Sequence, residues 1–309
     1  MKRREFLGSA LVGATTAACA ESRAAPLGPG VPPIGPARGS ASSRFWATWG
    51  DGKAELSGYR TTSVRYGSAR SAELVLIYVT EPHDRATRIK ADNPKPDAAQ
   101  VLKLNISEKF LTGLYPYSVM TSVFAPVDPL PGERFQPSKI TLSAQEWCGH
   151  VYNGLWPLAG GARVRGFSYF ESEGEEDRVL AVPDDALYED GLLIQLRELD
   201  GPFLGGAARW SGALVPSLWR QRKAHVPLAP ERATITRETR DGAVYFTLKS
   251  GDHEATYEVE DSGARRVRAW RTGDGSTAEL IKTARLPYWG LHNPGDEVHR
   301  AELGLPTTG

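Results

Sequence analysis

The sequence predicts a mainly β protein: an antiparallel meander forming an open or closed barrel-like sheet, with few short helices. Three observations predict it. The C-terminal third alternates strand-length runs with turn chemistry about every ten residues. Its best run has a hydrophobic period of two, with Val244, Phe246 and Leu248 on one face and Tyr245, Thr247 and Lys249 on the other. The central runs, 73–80 and 117–124, are β-branched and aromatic, the composition that suits a pleated surface.

In chain order, residues 1–19 read as an export signal outside the fold. Lys2-Arg3-Arg4 is a positive n-region, and Arg3-Arg4 ahead of Phe6-Leu7 marks twin-arginine export. The apolar run 8–18 is about eleven residues, and a spanning helix needs roughly 20. Cys19 follows Ala17-Ala18, where a bacterial lipoprotein is cut and acylated, although Thr16 stands where Leu, Val or Ile is usual. A rival pattern, Ala18-Cys19-Ala20, would release a soluble chain starting at Glu21. Residues 20–43 are rich in Pro, Gly and Ala and predict a disordered tether. Residues 44–309 predict a single β-rich domain, long but acceptable for an all-β unit.

Within that domain, 73–80 is nearly all apolar, so both of its faces should be covered. Residues 139–152 predict one strand, and 184–199 holds at most a short helix because Gly191 interrupts it. The C-terminal meander runs 233–240, 244–249, 254–259, 265–271 and 278–284. A three-residue loop at 261–263 would set Glu258 opposite Arg266.

Composition excludes several functions. Lys plus Arg and Asp plus Glu both number 37, so no basic field exists for nucleic acid. Cys19 and Cys148 are the two cysteines; with Cys19 acylated or removed, Cys148 has no disulfide partner. Phosphate-loop, dinucleotide, nucleophile-elbow and zinc-protease motifs are missing, and no cofactor or metal is expected.

The best local constellation is Gln145-Glu146-Trp147-Cys148-Gly149-His150. On a strand, Glu146, Cys148 and His150 share a face. A thiol beside an imidazole is the pairing that makes a nucleophilic thiolate. As metal ligands the three are poorly spaced, since i and i+4 lie about 13 Å apart on a strand. A further ligand would have to come from His83, Asp84 or His292. The structural reading, a buried, protonated Cys148, is the stronger expectation. Trp46, Trp49, Trp147, Trp156, Tyr288 and Trp289 either line a cavity or fill the core. Glu171, Glu173, Glu175, Glu176 and Asp177 around Gly174 read as a solvated hairpin tip.

Several strings are distinctive: Arg65-Tyr66-Gly67, Val79-Thr80-Glu81, Val101-Leu102-Lys103-Leu104-Asn105, Gly113-Leu114-Tyr115-Pro116-Tyr117-Ser118-Val119-Met120-Thr121-Ser122 and the Gln145–His150 run. With them the chain resembles, from about Phe45 to about His292, an uncharacterised family of bacterial exported lipoproteins whose members sometimes carry the label "septum formation inhibitor Maf". True Maf proteins are cytoplasmic nucleotide pyrophosphatases with a Ser-x-Ser-Pro-Arg-Arg stretch, which this sequence lacks. The resemblance implies an exported lipoprotein and brings no catalytic residues.

The expectation is therefore an exported, periplasm-facing lipoprotein attached to a bacterial membrane through its N-terminal anchor. It is expected to be non-enzymatic and to bind an apolar ligand or an envelope protein. The alternative is a thiol-dependent enzyme or redox protein using Cys148 and His150. A binding barrel should show a cavity lined by Trp, Tyr, Leu and Val; an enzyme should show Cys148 and His150 within bonding reach in a polar cleft.

Overall fold

Alternation builds the sheet. In the computed structural model, which describes residues 31–35, 40–127 and 134–307, strand β1 (Ala54–Arg65) buries Glu55, Ser57, Tyr59, Thr61, Ser63 and Arg65, all on one face. Strand β2 (Ser68–Asp84) buries Leu74, Leu76 and Tyr78 beside them. The meander continues through β4 (Ala99–Thr112), β5 (Tyr115–Pro126), β6 (Lys139–Glu146), β7 (Gly149–Leu158), β8 (Gly161–Ser168) and β9 (Glu175–Ala181), with β3 (Ile89–Lys90) pairing β2 at the side.

The C-terminal meander matches its sequence pattern: β12 (Glu231–Arg240), β13 (Ala243–Ser250), β14 (His253–Glu260), β15 (Val267–Thr272) and β16 (Thr277–Leu286). Strand β16 pairs antiparallel with β1, so the two meanders join into one sheet running β10 (Leu187–Tyr188), β11 (Arg209–Val215) and β12 to β16, then β1, β2 and β4 to β9. Its far edge, β11 with β10, is the one parallel pair among the named strands. Strands from both halves of this order bury side chains in a single core, Leu104 and Leu155 with Ile235 and Phe246. A sheet this wide shares one core only by curling round it, which gives the barrel-like shape.

The helices are short. In α1 (Ser43–Trp49), the Ser42 hydroxyl accepts from Phe45 N–H at 3.2 Å, and Phe45 and Trp49 enter the core. After β9 the chain turns into the concavity, and residues 186–197 are buried without interruption. This stretch contains α2 (Leu192–Gln195) and is tied to the sheet by the Tyr78 hydroxyl, which donates to Leu193 O at 2.9 Å. It ends on Arg197, whose guanidinium donates to both Glu55 oxygens at 2.7 and 3.1 Å and lies 4.5 Å from the Tyr78 ring centre. Carbonyls of Ala264 and Arg265 accept two further donors at 2.8 and 2.9 Å, so the buried charge is both paired and hydrogen-bonded.

Coverage of β2 on both faces holds. Its convex side is capped by a 3-10 turn, Asp296–Leu303, which brings Leu303 and Leu305 against Leu56 and Val79. Gly58 makes this possible, because a Cβ there would sit 2.1 Å from Leu303 O.

Four expectations need correction. Residues 139–152 are two strands, β6 and β7, turned at Trp147-Cys148. Glu258 pairs with Ala269 instead of Arg266, because the loop runs on to a left-handed Arg265 (φ 53°). Arg266 bonds Glu260, and Glu258 meets Arg268 at 3.3 Å. The tip carboxylate Glu173 is ion-paired to Arg222 at 2.5 Å and His225 at 2.7 Å. The expected tether is packed where it is described: Ile34 is buried with Ala99 and Val101, and its N–H donates to Arg85 O at 2.8 Å. Val31 is buried as well, and Arg88 holds the Pro32 carbonyl between the two at 2.8 Å. Residues 20–30 and 36–39 of that stretch, and residues 1–19 with Arg3, Arg4 and Cys19, lie outside the described residues.

Candidate functional site

The constellation that the sequence favoured does not assemble. Glu146 pairs with Gly149 and Gln145 with His150, so the two-residue turn inverts the face parity between β6 and β7. Glu146 falls on the side of buried Ala144 and Val151, while His150 is exposed on the opposite side. Cys148 sits in the turn itself and is exposed, against the expectation of burial. Its N–H donates to Glu146 Oε2 at 2.7 Å. The Glu146 carboxylate beside the thiol pushes its pKa up, which disfavours the thiolate. Gly149 does serve close packing, since a Cβ there would meet the Tyr169 ring at 2.5 Å.

The residues considered as further metal ligands are engaged elsewhere. His83 is buried and lies 3.0 Å from Glu81, which Lys103 holds from the other side at 2.7 Å. Burial raises the Glu81 carboxyl, but these two partners outweigh it and bring the pKa down to about 2. Asp84 accepts from the turn N–H groups of Ala86 and Thr87 at 3.0 and 2.9 Å. His292 is exposed and contacts Trp289 O at 2.9 Å. Among the described residues no group of His, Cys, Asp and Glu is placed to hold a metal.

The site with the most chemistry lies on the concave face near the β1–β2 turn: a cavity of about 440 Å³. Cross-strand register sets two of its lining residues, Leu74 and Glu108, side by side. Tyr59, Leu74, Glu108, Val119 and Ala144 stand in one row across β1, β2, β4, β5 and β6. Four of these five are buried and carry apolar rings or chains; the fifth is a carboxylic acid. Leu74, Ile106 and Leu193 supply an apolar floor, and Trp219, Tyr257 and Trp270 supply aromatic faces.

The opposite wall comes from the threaded segment and α3 (Leu218–Ala224), which Ser217 and Asp190 cap: Ser217 Oγ accepts from Arg220 N–H at 3.4 Å and Asp190 from Leu218 N–H at 3.0 Å. The neighbouring Glu189 accepts from Ser217 N–H at 3.0 Å and from Arg220 Nε at 2.9 Å, with His253 at 3.1 Å. Arg220 also bonds Glu231. Burial raises the Glu189 carboxyl, but His253 and Arg220 prevail and hold it below the usual range. Asp190 goes the other way: burial pushes it up to about 6, and the Glu189 charge adds to the push. Burial also raises Glu108, opposed by the Ser63 hydroxyl, Lys223 and the Trp219 indole. At the rim, Lys223 pairs with Asp274 at 3.2 Å, and Arg65 donates to Lys223 O at 3.2 Å.

None of the six aromatic residues singled out from the sequence lines this cavity. Trp49 and Trp156 are buried elsewhere, and Trp147 is 68% exposed. Sequence reasoning passed over Glu108 although a signal existed. Leu102, Leu104, Glu108 and Phe110 share one strand face, and the carboxylate breaks its apolar run. Glu189-Asp190 likewise interrupts an apolar stretch from Ala186 to Ile194.

No family model matches the chain, and no curated protein matches it. Among solved structures, the fold is similar to a beta-barrel-like protein of domain of unknown function DUF1849 from Brucella abortus. The likeness has 11% identity and a TM-score of 0.44, covering 75% of this chain and 97% of that one.

Proposed function

We propose that the chain is a cell-envelope lipoprotein that binds a small ligand with an apolar body in the concave cavity. The observation that carries this reading is the cavity of about 440 Å³, whose floor and walls are Leu74, Ile106, Leu193, Trp219, Tyr257 and Trp270. Ligand sites of this size are typically apolar with a few placed polar groups. Export and anchoring rest on Arg3-Arg4 and on Cys19 behind its short apolar run. The thiol-dependent alternative has weaker support, because Cys148 is exposed in a hairpin turn, Glu146 and His150 lie on opposite faces, and Glu146 suppresses the thiolate.

The test uses the full mature chain and the neutral apolar dye N-phenyl-1-naphthylamine. Saturable dye fluorescence, lost when Ile106→Trp fills the cavity and kept in Trp147→Ala at the hairpin tip, is the expected result. No saturable binding, or binding indifferent to Ile106→Trp, overturns the reading. Intact mass of the mature chain tests the anchor separately: an acylated Cys19 start is expected, and an unmodified start at Glu21 refutes it.

A further inference from the structure

We propose that the polar end of this cavity recognises an alkylammonium group, with Glu108 as its counter-ion and Thr61 as a second acceptor. The inference rests on the reading of the cavity as a ligand site and adds the charge class of the ligand.

Charge bookkeeping within the cavity points there. Lys223 is taken by Asp274, and Arg220 lies between Glu189 and Glu231. His253 stands on Glu189. Arg65 has no carboxylate partner among the described residues; it donates to the Lys223 carbonyl at 3.2 Å and to the Tyr66 hydroxyl at 3.4 Å and stacks over the Tyr66 ring at 4.2 Å. Among the described residues, that leaves two lining carboxyls without an ion-pair partner, Glu108 and Asp190. Asp190 is spent on the N-terminus of α3 through Leu218 N–H. Glu108 has no cation within ion-pair distance among the described residues: the Ser63 hydroxyl and the Trp219 indole bond it, and Lys223, already held by Asp274, acts on it from farther off.

An independent observation concerns Thr61. It is 8% exposed, faces the same cavity from β1, and its Oγ1 has no hydrogen-bond partner. A buried hydroxyl left unpaired costs about 1–3 kcal/mol, so a bound group that offers it a donor would gain that bond. An ammonium group carries three donors and a positive charge, which suits one carboxylate and one hydroxyl. Trp219 and Trp270 add aromatic faces that attract cations. The apolar floor then takes the alkyl chain. An anionic amphiphile of the same length would set its charge against Glu108, and a neutral one would leave the carboxyl unpaired.

Displacement of N-phenyl-1-naphthylamine from the full mature chain at neutral pH tests this with three ligands of one length: decylammonium, decanol and decanoate. Decylammonium should displace the dye at about tenfold lower concentration than either of the others, the factor expected for a charge-assisted bond. In Glu108→Gln the ratio of decylammonium to decanol should fall to near one, and Thr61→Val should lower it partway. Equal displacement by decylammonium and decanol in the wild type overturns the inference while leaving the ligand-site reading intact. Retention of the full ratio in a folded Glu108→Gln overturns it as well. The wild-type ratio decides even if a variant fails to fold. Failure of the wild type to bind the dye at all would remove the ligand-site reading itself.

Discussion

The hairpin tip at Trp147-Cys148 and the cavity under Glu108 make opposite use of their chemistry. At the tip, a thiol, an imidazole and a carboxylate lie within five residues of sequence, yet a two-residue turn sends Glu146 and His150 to opposite faces. In the cavity, Thr61, Glu108, Glu189, Arg220 and His253 come from five separate segments and meet across one concave face. Closeness in sequence is therefore a poor guide to a site on an antiparallel sheet. Register brings together residues spaced by whole hairpins, and a turn separates those spaced by two. The difference extends to energetics. The tip is exposed, so changes there alter little else. The cavity wall leans on buried charges, each costly to leave unpaired.

The largest effect is expected at the buried pair that anchors the threaded segment. Arg197→Ala leaves the buried Glu55 carboxyl without its ion-pair partner. It should cost about 3–5 kcal/mol in a urea unfolding series. A loss under about 1 kcal/mol would mean the segment is held by its apolar contacts alone, and the contrast with the tip would collapse.

Asp190 provides an intermediate effect with a sign. Burial raises its carboxyl from 3.8 to about 6, so the folded chain holds a proton that the unfolded chain releases between those values. The contribution to stability is complete below the unfolded value and is lost as pH rises through about 6. Asp190→Asn keeps an acceptor for Leu218 N–H and cannot ionise. Its unfolding free energy relative to wild type should therefore climb by about 2–3 kcal/mol between about pH 4 and pH 8. A difference that stays flat across that range would show that Asp190 titrates normally.

Much of the fold was legible because it is local. Asp241-Gly242 and Gly251-Asp252 mark turns by their own backbone preferences, and the period of two at Val244, Phe246 and Leu248 needs no partner to be read. The apolar run 73–80 also announced coverage on both faces. The failures are non-local or hinge on one residue of register. Trp147-Cys148 lacks Gly, Asn or Asp, so a tight turn there gave no signal and the parity of β7 was misread. Ile34 anchors a stretch whose composition argued for disorder. The cavity was invisible because its residues acquire meaning only when β16 closes on β1 and residues 186–197 thread the concavity.

The smallest expected effect lies at the tip and concerns rate. Cys148 is exposed, so a thiol reagent such as iodoacetamide should modify the native chain as fast as the urea-unfolded one, or nearly so, once both are fully ionised. Near neutral pH the native chain should lag, because Glu146 stands beside the thiol and holds its pKa above the ordinary value. Only the thiolate reacts, so a raised pKa reduces the reactive fraction without hiding the sulfur. Glu146→Gln removes the negative charge and should speed native labelling at neutral pH while leaving the high-pH rate unchanged. The melting temperature of Cys148→Ser should match wild type, since no buried contact is lost. Labelling that is slow at every pH until the chain unfolds would place Cys148 inside a protected surface, and the tip would then share the burial that distinguishes the cavity. Labelling faster than the unfolded chain at neutral pH would instead require a nearby cation to outweigh Glu146, which would return the thiol to consideration as a reactive group.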